Sequence, residues 1–579
     1  MDQIVKYFDI IHLEARPYLD TISRLIDNRR RAFNENSKDF DNFSICVSTV
    51  IISVLTVFIY QKIIRWFEPD LNETLWYCLK RRFTKIVLNT PILKNFANRE
   101  ISKFMNIIDE SLMSVYKNES FQVTLPSEGK TPQQVMREVE RYLSIGTVEW
   151  EKGRVSGAIY CDLGNGEFID LMTSVYGKTA YTNPLHADVY PGIRKMEAEV
   201  VRMTCSLFKG GPESCGCIST GGTESLILVV KAYRDYARNV KGIKNPEIIA
   251  PVSAHPAFDK AASLLRVQLH KIKLDPHTKK VDTRAMRQAI NGNTCLLIGS
   301  APCYPYGTYD PIEEIAALGL KRGIPVHVDA CLGGFLNPFV EEAGYKLHHR
   351  CDFSVPGVTS ITADTHKYGC APKGTSVVVY AEQKYRHQQY FITTDWPGGL
   401  YACATIPGSR PGGLIADCWA SLMYHGRKRF VENTRKILQV SQKFVREINS
   451  IEGIQICGSP ELSVVAVASD EINIYMLSDG LTSRGWNVNA LQFPSAFHIC
   501  FTLMHTREGV LAQLVDDIRD ITKELMRDRT KSKKLEGQSA LYGVSQTIPD
   551  RSLVSTFALQ YLDSYYNTRY DGNTNGTSH

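Results

Sequence analysis

The sequence predicts an α/β protein with a mostly parallel sheet in a large domain, a smaller α+β domain after it and one membrane-spanning helix before it. Three observations carry this reading. Segments such as "PEIIAPVSAHPAFDKAASLL", "NTCLLIGSAPCYPYG", "GIPVHVDACLGGF" and "VTSITADTHKYG" each give a short β-rich run ending in a loop, and the first leads into a helical pattern. That repetition is expected of βα units. A Gly-rich turn in "STGGTESLILVVKAYRDYA" opens a helix whose Leu226, Val229, Val230 and Tyr233 share a face. Residues 42–61 form twenty positions without a charge, enough to cross a hydrocarbon core of about 30 Å as a helix.

Taken in order, residues 1–41 are a polar segment, and 42–61 the transmembrane helix. A cleaved signal peptide would begin nearer Met1 with a short basic region, so a signal-anchor is expected. Charge does not orient it. Arg24, Arg29, Arg30, Arg31 and Lys38 flank one side and Lys62, Arg65, Lys80 and Arg81 the other, and the positive-inside rule needs an imbalance. Residues 62–170 read as a juxtamembrane connector and N-terminal segment, and 171–428 as the large domain. Residues 429–530 form the small C-terminal domain, with a long amphipathic helix in "KRFVENTRKILQVSQKFVREI" and another over 510–526. Residues 531–579 are a tail that ends in Gly, Asn, Thr and Ser, a composition expected to be disordered.

The bulk composition narrows the function classes. At 579 residues, 44% apolar and 22% charged, the chain has the make-up of an ordinary globular protein of two or three domains. Its net charge of +6 is spread along the length, which argues against nucleic-acid binding. Fifteen cysteines are scattered without a C-x-x-C pair. Zinc-site spacing is absent, and reduced thiols are the expected state.

In open α/β sheets ligands bind beyond the carboxyl ends of the strands. Four features fall at such positions: the turn at Gly221 and Gly222, His255, Asp329, and the pair His366 and Lys367. Pyridoxal phosphate is the chemistry that asks for this set. An aldehyde cofactor needs a lysine to form a Schiff base, and its pyridine nitrogen needs a carboxylate to stay protonated. Its phosphate suits N–H groups and a hydroxyl at a helix start. Lys367, Asp329, and Gly222 with Thr223 fit those roles, and His255 suits the ring face. Singly, each has a plainer reading. Asp329 could be the N-cap of a following helix, "GGTES" occurs at many helix starts, and a lone histidine is more often structural. The order and spacing of the four together carry the inference.

The segments "NPLHADVYPGIRKMEAEVVRM", "GGPESCGCISTGGTESLILVVKAYRDYA", "SAHPAFDKAA", "IPVHVDACLGGFLNPF", "SITADTHKYGCAPKG" and "PGSRPGG" resemble those of the sphingosine-1-phosphate lyases, fold-type-I pyridoxal-phosphate enzymes related to the group II decarboxylases. The resemblance runs over about residues 138–526 and includes "SALYGVSQT". It implies an aspartate-aminotransferase-like fold and cleavage of the C2–C3 bond of a phosphorylated sphingoid base. It also implies a single-pass endoplasmic reticulum membrane protein with a cytosolic catalytic domain and residues 1–41 on the luminal side. Lys367 matches the Schiff-base lysine, Asp329 the pyridinium partner and His255 the stacking histidine. Gly222 and Thr223 match the phosphate loop, joined by Ser409 of a second subunit, which implies a homodimer. Tyr160, His186, Lys373 and Tyr542 match positions that line the substrate phosphate or move protons. The base that takes the hydroxyl proton stays open between Lys367, Tyr160, His366 and a substrate phosphate oxygen. An amino-acid decarboxylase shares the lysine, aspartate and histidine, and a non-catalytic membrane scaffold shares the fold. Against the family pattern, Cys370 stands where many members carry tyrosine, and it is expected to alter the wall beside Lys367.

Overall fold

The β-rich runs become strands of one sheet in a computed structural model that describes residues 49–54, 56, 116, 119, 121–146, 148–527, 558–559 and 561–568. The chain divides into two compact units, Met1–Phe83 and Thr84–His579. In the first, residues 49–54 and 56 are helical, with Val50, Ile51, Ile52 and Val54 exposed. Among the described residues no helix is long and apolar enough to cross a membrane. The rest of the expected span 42–61 lies outside them, as do residues 1–41, most of 62–120, and Tyr542.

The second unit holds a seven-stranded sheet of β1 (Cys215–Ser219), β2 (Glu247–Pro251), β3 (Gln268–Ile272), β4 (Thr294–Ser300), β5 (Val326–Asp329), β6 (Val358–Ala363) and β7 (Ser376–Tyr380). Their order is β1-β7-β6-β5-β4-β2-β3. Strands β3, β2, β4, β5 and β6 run parallel, whereas β7 is antiparallel to both β6 and β1. Two reversals in succession restore direction, so β1 ends at the same edge as β2, β5 and β6. Every residue of β4, β5 and β7 is buried, as expected where both faces of a sheet are covered.

The helices of this unit begin with α1 (Pro132–Leu143), which has no buried residue, and α2 (Gly166–Thr179). Those packed on the sheet include α3 (Pro191–Leu207), α4 (Gly222–Asn239), α5 (Ala257–Leu265), α6 (Thr283–Ala289), α7 (Ile312–Arg322) and α8 (Gln383–His387). The face of α4 read from the sequence is the packed one: Leu226, Val229, Val230 and Tyr233 are at most 1% exposed. The Tyr233 hydroxyl is satisfied by Thr359 Oγ1 at 2.7 Å, which removes the cost of burying it. The ribbon β8 (Phe391–Thr393) and β9 (Tyr401–Cys403) precedes α9 (Gly412–Ile448). Helical geometry breaks in α9 at Gly426, with φ +51° and ψ −179°. The expected boundary after residue 428 therefore falls two residues beyond this break.

The smaller sheet contains β10 (Gln455–Ile456), β11 (Val464–Ala468), β12 (Asn489–Leu491) and β13 (Ala496–Cys500), in the antiparallel order β10-β11-β13-β12. Helices α10 (Ile474–Ser483) and α11 (Val510–Arg527) pack together beside it. Strands β11 and β13 are wholly buried. Their ends, at Ser463 and Cys500, meet the loop that follows β6.

Candidate active site

At the carboxyl edge of the large sheet a cavity of about 310 Å³ is bounded by the start of α4, His255 after β2, Cys331 after β5, and Asp364, His366 and Lys367 after β6. Its floor is an ion pair. Lys367 Nζ lies 2.9 Å from Asp364 Oδ2, on a carboxylate whose side chain is 2% exposed. Burial pushes the Lys367 ammonium down, but the Asp364 carboxylate outweighs it and the net movement is upward. Burial pushes Asp364 up, while Lys367 and His366 prevail and hold it below the usual carboxylate range. Both directions describe a charged pair. Asp364 Oδ1 is buried without a hydrogen-bond partner among the described residues.

The backbone around this pair is fixed by its own turns. Cys370 N–H donates to Lys367 O at 2.9 Å and Ala371 N–H to Thr365 O at 3.1 Å. Tyr368 then anchors the turn to the smaller sheet: its hydroxyl donates to Phe501 O at 2.7 Å and has Ser463 Oγ at 2.6 Å, whose own proton it can accept. Cys370 does not alter the cavity wall as expected. It is 5% exposed, sits at φ +59°, and points its thiol to Tyr368 O at 3.7 Å. The thiol in the wall belongs to Cys331.

Above the pair, the chain turns from β1 into α4 through Gly221, whose φ of +150° favours glycine. A Cβ on Gly222 would stand 2.8 Å from both Asp364 oxygens and 3.1 Å from Cys331 Sγ, so only glycine allows helix and carboxylate to approach. The first-turn N–H groups of a helix have no intrahelical acceptor and suit an anion. Glu224 braces this turn. Its Oε2 accepts from Thr220 N at 2.7 Å and from Thr220 Oγ1 at 2.6 Å, and its Oε1 accepts from Ile406 N at 2.8 Å. Hydroxyls of Ser219, Ser225 and Ser376 link the ends of β1, α4 and β7 at 2.7 and 2.9 Å.

The imidazoles have defined roles in hydrogen bonding. His366 Nδ1 accepts from Thr375 N–H at 3.2 Å, which leaves the proton on Nε2, 3.6 Å from Asp364 Oδ2. Burial brings His366 down to about 4, so it is neutral at physiological pH. His255 Nδ1 accepts from Ala257 N–H at 3.1 Å, and its ring meets Tyr304 edge-on at 6.4 Å. Asp329, 7% exposed, spends Oδ1 on Cys331 N–H at 3.0 Å. Asp329 therefore caps a turn and not, as the plainer reading had it, the start of a helix, since residues 331–336 are turns.

Two further groups of expected residues stand apart from the cavity lining. Lys373 Nζ lies 4.7 Å from the centroid of the Tyr160 ring and donates to His366 O at 3.3 Å. The Tyr160 ring meets Tyr368 edge-on at 4.9 Å. Burial, then the neighbouring Cys500, pushes its phenol well above the usual value. In the other group Asn183, of "NPLH", donates to Ser409 Oγ at 3.1 Å and accepts Arg410 N–H at 3.1 Å, while its carbonyl accepts His186 N–H at 3.0 Å. Arg410 is bound to Glu197 at 2.5 and 2.9 Å. Ser409 and His186 are exposed and line no part of the Lys367 cavity in their own chain. Asp364, Glu224 and Asn183 were not legible as site residues from the sequence. The one usable signal was Asp364, set three residues before the lysine.

A primary amine, a glycine cup at a helix start and a buried carboxylate with one oxygen unspent form a set that fits a phosphorylated aldehyde cofactor. Comparison with known proteins points the same way. Residues 115–469 match the pyridoxal-dependent decarboxylase conserved domain. The chain is 47% identical over 503 residues to sphingosine-1-phosphate lyase of Drosophila melanogaster, covering 87% of this chain and 91% of that protein. It is 42% identical over 561 residues to sphingosine-1-phosphate lyase 1 of Rattus norvegicus, covering 97% and 96%. Among solved structures, a sphingosine-1-phosphate lyase of Burkholderia pseudomallei superposes with a TM-score of 0.71 at 35% identity, covering 78% of this chain and 99% of that one. Glutamate decarboxylase of Lactobacillus brevis, at 18% identity and a TM-score of 0.61 over 72% and 98% of the two chains, shares the fold.

Proposed function

The chain belongs to the sphingosine-1-phosphate lyase family of pyridoxal-phosphate enzymes, and on that footing we infer that it cleaves the C2–C3 bond of phosphorylated sphingoid bases to a long-chain aldehyde and phosphoethanolamine. The observation that carries the chemistry is the Lys367 amine, held at 2.9 Å by Asp364 beneath the glycine cup. Pyridoxal phosphate supplies a ring that accepts the electrons of the breaking carbon–carbon bond.

In this reading Lys367 tethers the cofactor, the α4 start with Gly222 and Thr223 holds its phosphate, Asp329 faces its ring nitrogen and His255 its ring face. Lys373, with Tyr160 packed against it, receives the substrate phosphate, joined by His186 and Tyr542. A cation over an aromatic face keeps its charge directed outward, and Lys373 is exposed. The proton steps are narrowed by hydrogen bonding. Thr375 N–H occupies the free lone pair of His366. Burial keeps the Tyr160 phenol protonated, which makes it a donor. The acceptor of the C3 hydroxyl proton in this reading is the Lys367 amine or the substrate's own phosphate oxygen.

The reading includes a homodimer, supported by Ser409 and His186, both bonded to Asn183, lining no part of the Lys367 cavity of their own chain. It also includes a single N-terminal anchor in the endoplasmic reticulum membrane with the catalytic domain cytosolic. The uncharged run at 42–61 supports this, as does a substrate whose chain is insoluble in water. Protein lacking residues 1–62 that kept full activity on bilayer-embedded substrate would count against the anchor.

The function is tested by incubating purified protein with sphingosine phosphate. Long-chain aldehyde and phosphoethanolamine are expected in equal amounts, and their absence would overturn the reading. Release of carbon dioxide from an amino acid instead would establish a decarboxylase.

A further inference from the structure

The tethering lysine of this site does not stand alone in a neutral pocket. Asp364 lies three residues before it, one residue past the end of β6, and its residue exposure is 3%. Oδ2 takes the Lys367 ammonium at 2.9 Å, and Oδ1 takes nothing. The α4 start closes over the carboxylate so tightly that a Cβ on Gly222 would come within 2.8 Å of both oxygens. The positive end of a helix at that distance favours the ionised acid. The other titratable groups facing the amine are Asp329, Cys331, His366, Lys373 and Cys500. His366 Nε2 lies 3.6 Å from Asp364 Oδ2, too far for a hydrogen bond, and the neutral ring adds no charge to the amine. Asp329 adds a second negative charge. Lys373 is the one opposing cation in this set.

We propose that Asp364 is a positioning residue that acts through Lys367: it is the counter-ion that keeps the unattached Lys367 amine protonated, so that on release from the cofactor Nζ stands as an ammonium and serves as a proton donor. A buried amine without a counter-ion loses its proton, because low dielectric disfavours the charged form. The carboxylate reverses that preference. An amide at the same position would satisfy the geometry and leave the charge uncompensated. The inference deepens the lyase reading and rests on Lys367 being the tethering amine.

The test uses full-length protein stripped of cofactor. Trace acetylation over a pH series, read by mass spectrometry of the Lys367 peptide against an added small-amine standard, reports the fraction of neutral amine. An opposite charge at this distance is worth about 1 to 3 pH units. Asp364→Asn should therefore lower the midpoint by at least about one unit and speed Lys367 acetylation at fixed pH by roughly ten-fold or more. Asp364→Glu should restore the slower labelling. Equal midpoints in the parent and Asp364→Asn would overturn the proposal. A folding defect in the variant leaves the parent's own value decisive. A Lys367 midpoint above the ordinary lysine value of about 10.4 supports a counter-ion, and one below it contradicts it. Failure of the tethering reading is seen separately: borohydride reduction of the loaded protein would then leave Lys367 unmodified, whatever the acetylation midpoint.

Discussion

Tyr368 hangs the catalytic turn on the small domain by donating toward Phe501 O at 2.7 Å. The ring that makes this bond is 3% exposed and follows Lys367 directly, so the small domain sets where the amine points. Tyr368→Phe leaves the Phe501 carbonyl without a donor and the Ser463 hydroxyl without an acceptor in a buried site. Denaturant unfolding should show a loss of about 1–3 kcal/mol, and turnover should fall with it. Unchanged stability would mean that Phe501 and Ser463 find other partners.

Gly222→Ala tests the cup. The added methyl meets two carboxylate oxygens at 2.8 Å and a thiol at 3.1 Å, so Asp364 must leave Lys367 or α4 must lift. Overpacking of this kind costs about 1–3 kcal/mol. The sharper expectation is loss of cofactor on dialysis, followed as loss of its visible absorbance. Retention equal to the parent would contradict the contact.

Glu224→Ala removes the brace between the α4 turn and the loop carrying Ser409. Three acceptor contacts at 2.6 to 2.8 Å disappear. The cofactor dissociation constant should rise at least about ten-fold, equivalent to about 1.4 kcal/mol. Glu224→Gln keeps the acceptor to Thr220 or to Ile406, but not both, and should fall between. Titration of the stripped protein with pyridoxal phosphate gives all three values.

Three buried histidines should each cost stability in mild acid, against Asp310 and Asp417, whose carboxyls burial raises to about 7 and which therefore pull the other way. Burial lowers His327 to about 3, and His498 and His505 to about 4. Their unfolded value is about 6.5. A folded value below the unfolded one means that the unfolded chain binds more protons between the two, so stability is full above about pH 6.5 and declines as pH falls toward 4. At pH 5 each should cost about 2 kcal/mol. Thermal unfolding of parent and His498→Gln at pH 5 and pH 8 checks this: the variant should lose less stability, or gain more, on going to pH 5 than the parent does, and an equal change in both would contradict it.

The strand ends were legible because each run is short, apolar and followed by a turn, and in a covered sheet such runs become strands whatever their partners. Partners were not legible. The placing of β1 beyond the antiparallel β7 depends on pairings between residues more than 150 positions apart, Cys215 with Tyr380 for one. The same limit hid half of the site. Lys367, His255, Gly222 and Thr223 announce themselves by local motif, whereas Asp364 reads as a loop aspartate until the helix start comes down on it. Glu224 reads as an ordinary first-turn acid until Ile406 arrives from 182 positions away. Cys370 was misplaced for a related reason. Its position after "HKYG" puts it next to Lys367 in sequence, but a left-handed backbone turns its thiol toward Tyr368 O.

The central claim is that Lys367 is the amine on which the cofactor is held. Borohydride reduction of the loaded protein, followed by digestion and mass spectrometry, tests it most directly. The cofactor mass should appear on the Lys367 peptide at that residue, with Lys373 unmodified, and Lys367→Ala should neither retain the label nor release aldehyde from sphingosine phosphate. A label on Lys373 or on another lysine, with Lys367 free, would contradict the account.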